Sequence, residues 1–392
     1  MSNSLGIKTW SGFGRHGLSP QTDHDESSRM EFTINLFRHL NWQQPAHKEI
    51  YDKKVEPGFK RENKRAPKNR HEVREAMLKD PTFQVWSHLR VYAQENLFEN
   101  ARLSVDRQLD TLIGKAKAKK KSKAKGSLKL DPTFEVPRYQ KHLDMHWMPG
   151  SYFTEFAEKD DVAVGAIYDF GGLYVLTNGM LGEYNDGAGH AVVRYLREKF
   201  PGWTPKAVLD EGCTVGHNTL PFKQAWPKAD IHAIDIGAPT LRYAHARAED
   251  MGYAIHFSQQ NAERTEFKDN TFDLVVSTMF LHETSHSAVY NIVKENRRIL
   301  KPGGLMIHVE QPPFSWATSP FDAFTRDWDT HNNQEPFWGR MHDMDLEQVA
   351  VKGGFKKQNI FQEMAPLVTP VPGDNYNLAP AGAWFIFGAR KQ

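Results

Sequence analysis

From Ala207 onward the sequence alternates short apolar runs with helical stretches, and this alternation constrains the fold more than any other feature. AVLD, IHAIDI, AIHFSQ, FDLVVS and LMIHVE have the length and composition of strands buried on both faces. Between them, PTLRYAHARAEDMG carries a proline near its start and Gly252 at its end. HSAVYNIVKENRRILKPGG sets Ala288, Ile292, Val293, Asn296 and Ile299 on one side of a helix, with Pro302-Gly303-Gly304 as its stop. Strands alternating with helices imply a parallel sheet covered on both faces, with ligands beyond the carboxyl ends of its strands.

The first unit, AVLDEGCTVGHNT (207–219), reads as a strand, a glycine turn and the start of a helix. A dinucleotide fingerprint anchored on Gly212 needs glycines at 214 and 217, where the chain has Thr214 and His217. No Gly-Lys-Ser/Thr follows, so a phosphate-cradling loop is excluded as well. What remains is a turn whose Gly212 and Gly216 let the backbone approach a ligand without a demand for pyrophosphate. Asp210 and Glu211 put negative charge at the strand end, which favours a cation. S-adenosylmethionine, with a sulfonium and an ammonium, answers that description better than NAD.

VLDEGCTVGHNT resembles motif I of class I S-adenosylmethionine-dependent methyltransferases, usually written D-x-G-C-G-x-G. The resemblance continues through IHAIDI, SQQNAE, KDNTFDLVVSTMFLHE and NRRILKPGGL, in the family's order, and is nearest the small-molecule, UbiE-like branch. It implies an α/β fold: a Rossmann-like, seven-stranded, mostly parallel sheet with a terminal antiparallel hairpin, for which FKKQNIFQ and AWFIFGARK supply strands. It implies S-adenosyl-L-methionine as cofactor, with Asp235 on the ribose hydroxyls and Asn261 and Ala262 beside the adenine. Asp210, Gly212, Gly216, Asn218, Thr219, Ile236 and Thr278 complete the expected cofactor set. Two departures are visible: Thr214 replaces the middle glycine, tolerable if its dihedrals are ordinary, and Asn261 replaces an aspartate. Cys213 reads as a small buried side chain rather than a nucleophile. Asp235 also has a structural reading, as the cap of the helix beginning near Pro239.

Methyl transfer is an in-line displacement that positioning accelerates, with a base required where the acceptor is a hydroxyl or a protonated amine. His282, in TMFLHETS after the fourth strand, is the expected base, with His331 and then His146 as alternatives. Glu283 reads as a cap of the next helix. An insertion at about 311–350 carries Phe314, Trp316, Phe321, Phe324, Trp328, Phe337 and Trp338. That aromatic density predicts a lid over a small aromatic or apolar acceptor, with O-methylation favoured. Asp327, Asp329 and His331, or His142, Asp144 and His146, could be read as metal ligands. Metal-dependent catechol-type enzymes instead place acidic residues just after strand four, where Ser277-Thr278-Met279 has none, so no metal is expected.

Ahead of the 205–392 methyltransferase domain, the reading divides the chain into an extension (1–131) and an aromatic connector (132–204) holding Trp147, Tyr152, Phe153, Tyr168, Tyr174 and Tyr184. Residues 1–64 show no sustained period, and EPGFKRENKRAPKNR reads as exposed loop. After Asp80-Pro81, Val85, Leu89, Ala93, Leu97, Ala101, Val105, Leu109 and Leu112 predict one helix over about 81–113. Between 115 and 129 eight lysines meet no acidic residue, which reads as a solvated linker. With no aromatic residue interleaved, the run does not favour nucleic acid. A net charge of +2, one cysteine among 392 residues, a polar MSNSLGIKTW start and no apolar run of spanning length suggest a soluble cytoplasmic protein with no membrane partner. A homodimer is left open. Two rival readings stand: an enzyme recruited to RNA or protein through the lysines, and a non-catalytic cofactor-binding protein.

Overall fold

The computed structural model describes residues 16–121, 124–172, 181–182, 184–371 and 375–392. The MSNSLGIKTW start, Lys123 and Tyr174 lie outside the described residues. Eight strands form one sheet in the order β1-β4-β3-β2-β5-β6-β8-β7. They are β1 (Ser127–Lys129), β2 (Ala207–Glu211), β3 (Asp230–Asp235), β4 (His256–Gln259), β5 (Phe272–Thr278), β6 (Leu300–Glu310), β7 (Ile360–Val371) and β8 (Asn375–Arg390). The pairs from β1 to β6 are parallel, and β8 runs antiparallel between β6 and β7. The expected seven strands are all present with their terminal hairpin. The eighth, β1, adds an edge strand beside β4 at the end of the lysine-rich stretch.

Period-two alternation along the central strands explains why both faces are covered. Val208, Leu274, Val276 and Ile307 join a core with Ala188, Val192 and Leu196 of the Gly187–Lys199 helix. The intervening Leu209, Val275 and Met306 join the opposite core with Val289, Ile292 and Val293 of the His286–Ile299 helix. Every one of these side chains is 3 % exposed or less.

The N-terminal region departs from expectation. Residues 24–63 are almost wholly helical, from His24–Trp42 through Glu56–Asn63, where the sequence shows no sustained period and reads the stretch from Glu56 as exposed loop. The expected 81–113 helix is two helices, Pro81–Asp106 and Leu109–Lys121, interrupted at Arg107 and Gln108. Its start is as predicted: the Asp80 carboxylate accepts from the Thr82 and Phe83 amides, and Pro81 takes the first position, where an N–H would go unused. The buried stripe drifts from the predicted one. Val85 and Leu89 face outward, at 60 % and 41 % exposure, while Phe83 and Trp86 are buried instead. The reason is tertiary: Phe83 meets Phe324 and Trp86 meets Trp328, both from the post-β6 insertion.

Nor is the lysine run simply a linker. Its first part continues the helix to Lys121, Lys117 and Lys119 pair with Asp160 and Asp250, and Lys129 lies in β1, paired with Glu266. The run has no acidic neighbour in sequence but finds three in space. Among the described residues, no helix is long and apolar enough to cross a membrane.

Candidate active site

A cavity of about 560 Å³ opens at the carboxyl ends of β2, β3 and β5, and its walls come from both halves of the chain. At one end lies the glycine turn. Gly212 and Gly216 have φ of 65° and 76°, the left-handed region that glycine enters without strain. A Cβ on Gly212 would sit 2.3 Å from the Phe280 ring, so the turn and the loop after β5 touch only because that side chain is missing. Thr214 also has positive φ, 46°. The replacement of the customary glycine therefore does not rest on ordinary dihedrals; a β-branched residue holds a left-handed conformation there.

Asp235, at the end of β3, stabilises that conformation. Its Oδ2 accepts from the Thr214 amide at 3.0 Å and its Oδ1 from the Gly237 amide at 2.9 Å. It lines the cavity as well, so the structural and ligand-facing readings describe one side chain. Burial raises its carboxyl to about 6, against the two amides, which favour the anion. Asp210 lies deeper, accepting the Thr219 hydroxyl, and burial brings it to about 7. Glu211 is turned to the other face of the sheet, where Asn296 donates to it at 3.1 Å and burial holds it well above the carboxylate range. The expected pair of charges at the strand end is thus one carboxylate, itself partly neutral.

Gly212, Asn218, Ile236, Asn261, Ala262 and Thr278 line the cavity along with Asp210 and Asp235. The Asn218 side-chain oxygen accepts from the Gly189 amide, and that of Asn261 from the Glu263 amide. Gly216 and Thr219 are not on the wall: Gly216 shapes the turn behind it, and Thr219 supports Asp210. The Thr278 hydroxyl is buried without a partner among the described residues, a polar atom left for a ligand. These residues suit a nucleoside with a cationic sulfur: a close-approach glycine turn, a carboxylate for vicinal hydroxyls and free hydrogen-bonding groups. Cys213 is a buried free thiol at the turn.

The three candidate bases separate. His282 lines the cavity, but its Nδ1 is 2.5 Å from Glu310 Oε2, and both side chains are at most 2 % exposed. Burial disfavours its charge, but the Glu310 carboxylate outweighs burial and raises His282 to about 9. It is an imidazolium at neutral pH rather than a proton acceptor. Glu310 also accepts from the Phe280 and Leu281 amides, so the pair anchors the loop after β5. His331 is not on the cavity wall; it lies half-buried 3.8 Å from Asp327. His146 is on the wall, held between Glu283 Oε1 at 3.0 Å and Glu335 Oε1 at 2.7 Å.

Several residues of this end were not anticipated. Glu283 caps no helix: Ser285 does that, accepting from the Ala288 amide. Glu283 instead faces the cavity and accepts from the Tyr152 hydroxyl at 2.9 Å as well as from His146. Asp329 and Glu335 line the same wall. Behind the glycine turn, Asp169 accepts from Tyr243 at 2.7 Å and binds His16 and His217 at 2.7 and 2.6 Å. Burial would raise its carboxyl, but Arg247 and His16 hold it well below the usual range. The aromatic insertion serves mainly as packing. Phe321 and Phe324 bury against the N-terminal helices, and Trp328 meets Trp86 edge-on. Among the seven insertion aromatics, only Trp338 reaches the cavity. Neither proposed metal triad converges: Asp327 pairs with Arg70, Asp144 accepts the Gly150 amide, and His146 pairs with glutamates.

Residues 208–304 match the model of the family described as methyltransferase domain. The chain is 30% identical over 109 residues to demethylmenaquinone methyltransferase of Thermus thermophilus, covering 28% of this chain and 49% of that one. It is 30% identical over 156 residues to the ubiquinone/menaquinone biosynthesis C-methyltransferase UbiE of Cupriavidus necator, covering 39% and 62%. The chain thus spans about half the length of these curated relatives. A Haemonchus contortus phosphoethanolamine N-methyltransferase 2, solved with S-adenosyl-L-methionine, aligns at TM-score 0.39 and 18% identity, over 54% of this chain and 55% of that one.

Proposed function

We propose that this chain, whose residues 208–304 match a methyltransferase domain, is a class I S-adenosylmethionine-dependent methyltransferase of the UbiE-like type that methylates a small organic acceptor. One observation carries the reading: a single cavity joins the Gly212 turn and Asp235 at one end to Glu283, His146 and Glu335 at the other. In this reading Asp235 accepts the ribose hydroxyls, Asn261 and Ala262 flank the adenine, and the Thr278 hydroxyl takes a polar group of the cofactor. S-adenosylmethionine supplies an electrophilic methyl group on a sulfonium when bound. The chain's part is to hold the acceptor in line and exclude water, with Tyr152 and Trp338 on the cavity wall.

The acceptor end supports a polar acceptor over the apolar one that the insertion's composition predicts. For an oxygen nucleophile, Glu283 is the better-placed proton acceptor, because His282 is engaged as a cation by Glu310. The test is incubation of the full chain with methyl-labelled S-adenosylmethionine and a fractionated cell extract. Formation of S-adenosylhomocysteine with label in a small-molecule fraction is expected. Label confined to RNA or protein would overturn the small-acceptor reading, and no turnover in any fraction would favour a binding protein.

A further inference from the structure

We propose, building on that reading, that the acceptor carries a protonated amine which docks between Glu335 and Asp329. Glu335 is 2 % exposed and lines the cavity. Its Oε1 takes a bond from His146 Nδ1 at 2.7 Å and another from Asn333 Nδ2 at 3.1 Å. Its Oε2 has no partner among the described residues. A carboxylate oxygen buried in this way is costly unless a donor reaches it, and the open side is the cavity. Asp329 lies on the same wall, and burial, then the charge of Glu335, push its carboxyl up to about 7.

The charged groups around this pair come from several elements, and together they leave one carboxyl in excess. His146 is shared between Glu283 and Glu335. His282 is engaged by Glu310. Arg90 stacks over Phe37 at 3.8 Å and bonds Asn41 and Gln94. Arg326 bonds Asp322 through Nε and Nη2 while its Nη1 has no partner among the described residues, and burial keeps His342 below the ordinary histidine range. Glu283, Glu335 and Asp329 are thus three carboxyls against two cations, His146 between the glutamates and Arg90 acting on Asp329, and one carboxyl is in excess. A neutral hydroxyl could satisfy the Glu335 oxygen but would leave the excess carboxyl uncompensated. An ammonium does both, and Tyr152, Trp338 and Trp384 also line the cavity.

The experiment is calorimetric titration of the full chain, saturated with S-adenosylhomocysteine, with benzylamine, benzyl alcohol and benzoate. Benzylamine should bind at least about tenfold more tightly than the alcohol, and benzoate should bind most weakly. At pH 7 amine binding should release a fraction of a proton, read from two buffers of different ionisation enthalpy, because a cation lowers the Asp329 carboxyl. Glu335→Gln and Asp329→Asn should each shrink the preference to about threefold or less, and Asp329→Asn should abolish the proton release. Both should melt near wild type and bind S-adenosylhomocysteine unchanged. Equal or tighter binding of the alcohol or benzoate, no binding of benzylamine, or a preference that survives both substitutions would overturn the proposal. Failure of S-adenosylhomocysteine to bind appears before any amine is added and counts against the underlying methyltransferase reading instead.

Discussion

The His282–Glu310 pair makes a stability prediction whose sign and size follow from its geometry. His282 rises from 6.5 to about 9 in the folded chain, because the carboxylate at 2.5 Å outweighs burial. A group raised on folding contributes stability that is complete below its unfolded value and is lost as pH rises through its folded value. The contribution is therefore full below pH 6.5 and fades toward pH 9 and beyond. A shift of that size is worth about 3 kcal/mol. Glu310 moves the opposite way, held below 4.5 against burial chiefly by His282, so its own contribution fades only in acid. His282→Gln can keep a hydrogen bond to Glu310, which also retains the Phe280 and Leu281 amides, but it cannot titrate. Urea unfolding of both proteins at intervals from pH 6 to 10 reads the difference. Wild type should lose about 3 kcal/mol more than the variant across that range. Other raised groups, such as His146, are common to both proteins and cancel. Parallel curves would refute the ion pair and restore His282 as a neutral base. His282→Ala, which strands a buried carboxylate, should cost about 3–5 kcal/mol at pH 7.

Two further outcomes follow from close contacts and from the lysines. Gly212→Ala forces a Cβ toward the Phe280 ring at a φ of 65°, so S-adenosylhomocysteine affinity measured by calorimetry should fall at least about tenfold, with a melting temperature lowered by a few degrees. Replacing Lys117 and Lys119 with serine removes two half-exposed pairs and should cost less than about 1 kcal/mol in urea unfolding. A salt-reversible loss of methyl transfer in that variant would instead reveal a polyanionic partner.

How far the sequence could be read depended on how local each cause was. The sheet was legible from Ala207 on because buried strands and capped helices leave short-range patterns, and Asp235 because it sits at a strand end. Thr214 looked benign because a sequence carries no φ. Glu211 looked like a partner of Asp210, although adjacent residues in a strand point to opposite faces. His282 looked like a base because Glu310, which charges it, lies 28 residues away at the end of β6. The N-terminal helices were hidden for a related reason: their apolar faces are fixed by Phe321 and Phe324, more than two hundred residues distant in the chain. The acid wall of Glu283, Asp329 and Glu335 is assembled from two separated segments of the chain, and no spacing announces it.

In the proposed function, the cleft beside Asp235 binds S-adenosylmethionine and its product. Calorimetric titration of S-adenosylhomocysteine into wild type and Asp235→Ala at pH 8, where the carboxylate is ionised, tests it most directly. One molecule should bind per chain, and the variant should lose about 2–3 kcal/mol from the missing ribose contacts and the loosened Thr214 turn. No binding to wild type, or equal affinity in a variant that is still folded by circular dichroism, would contradict it.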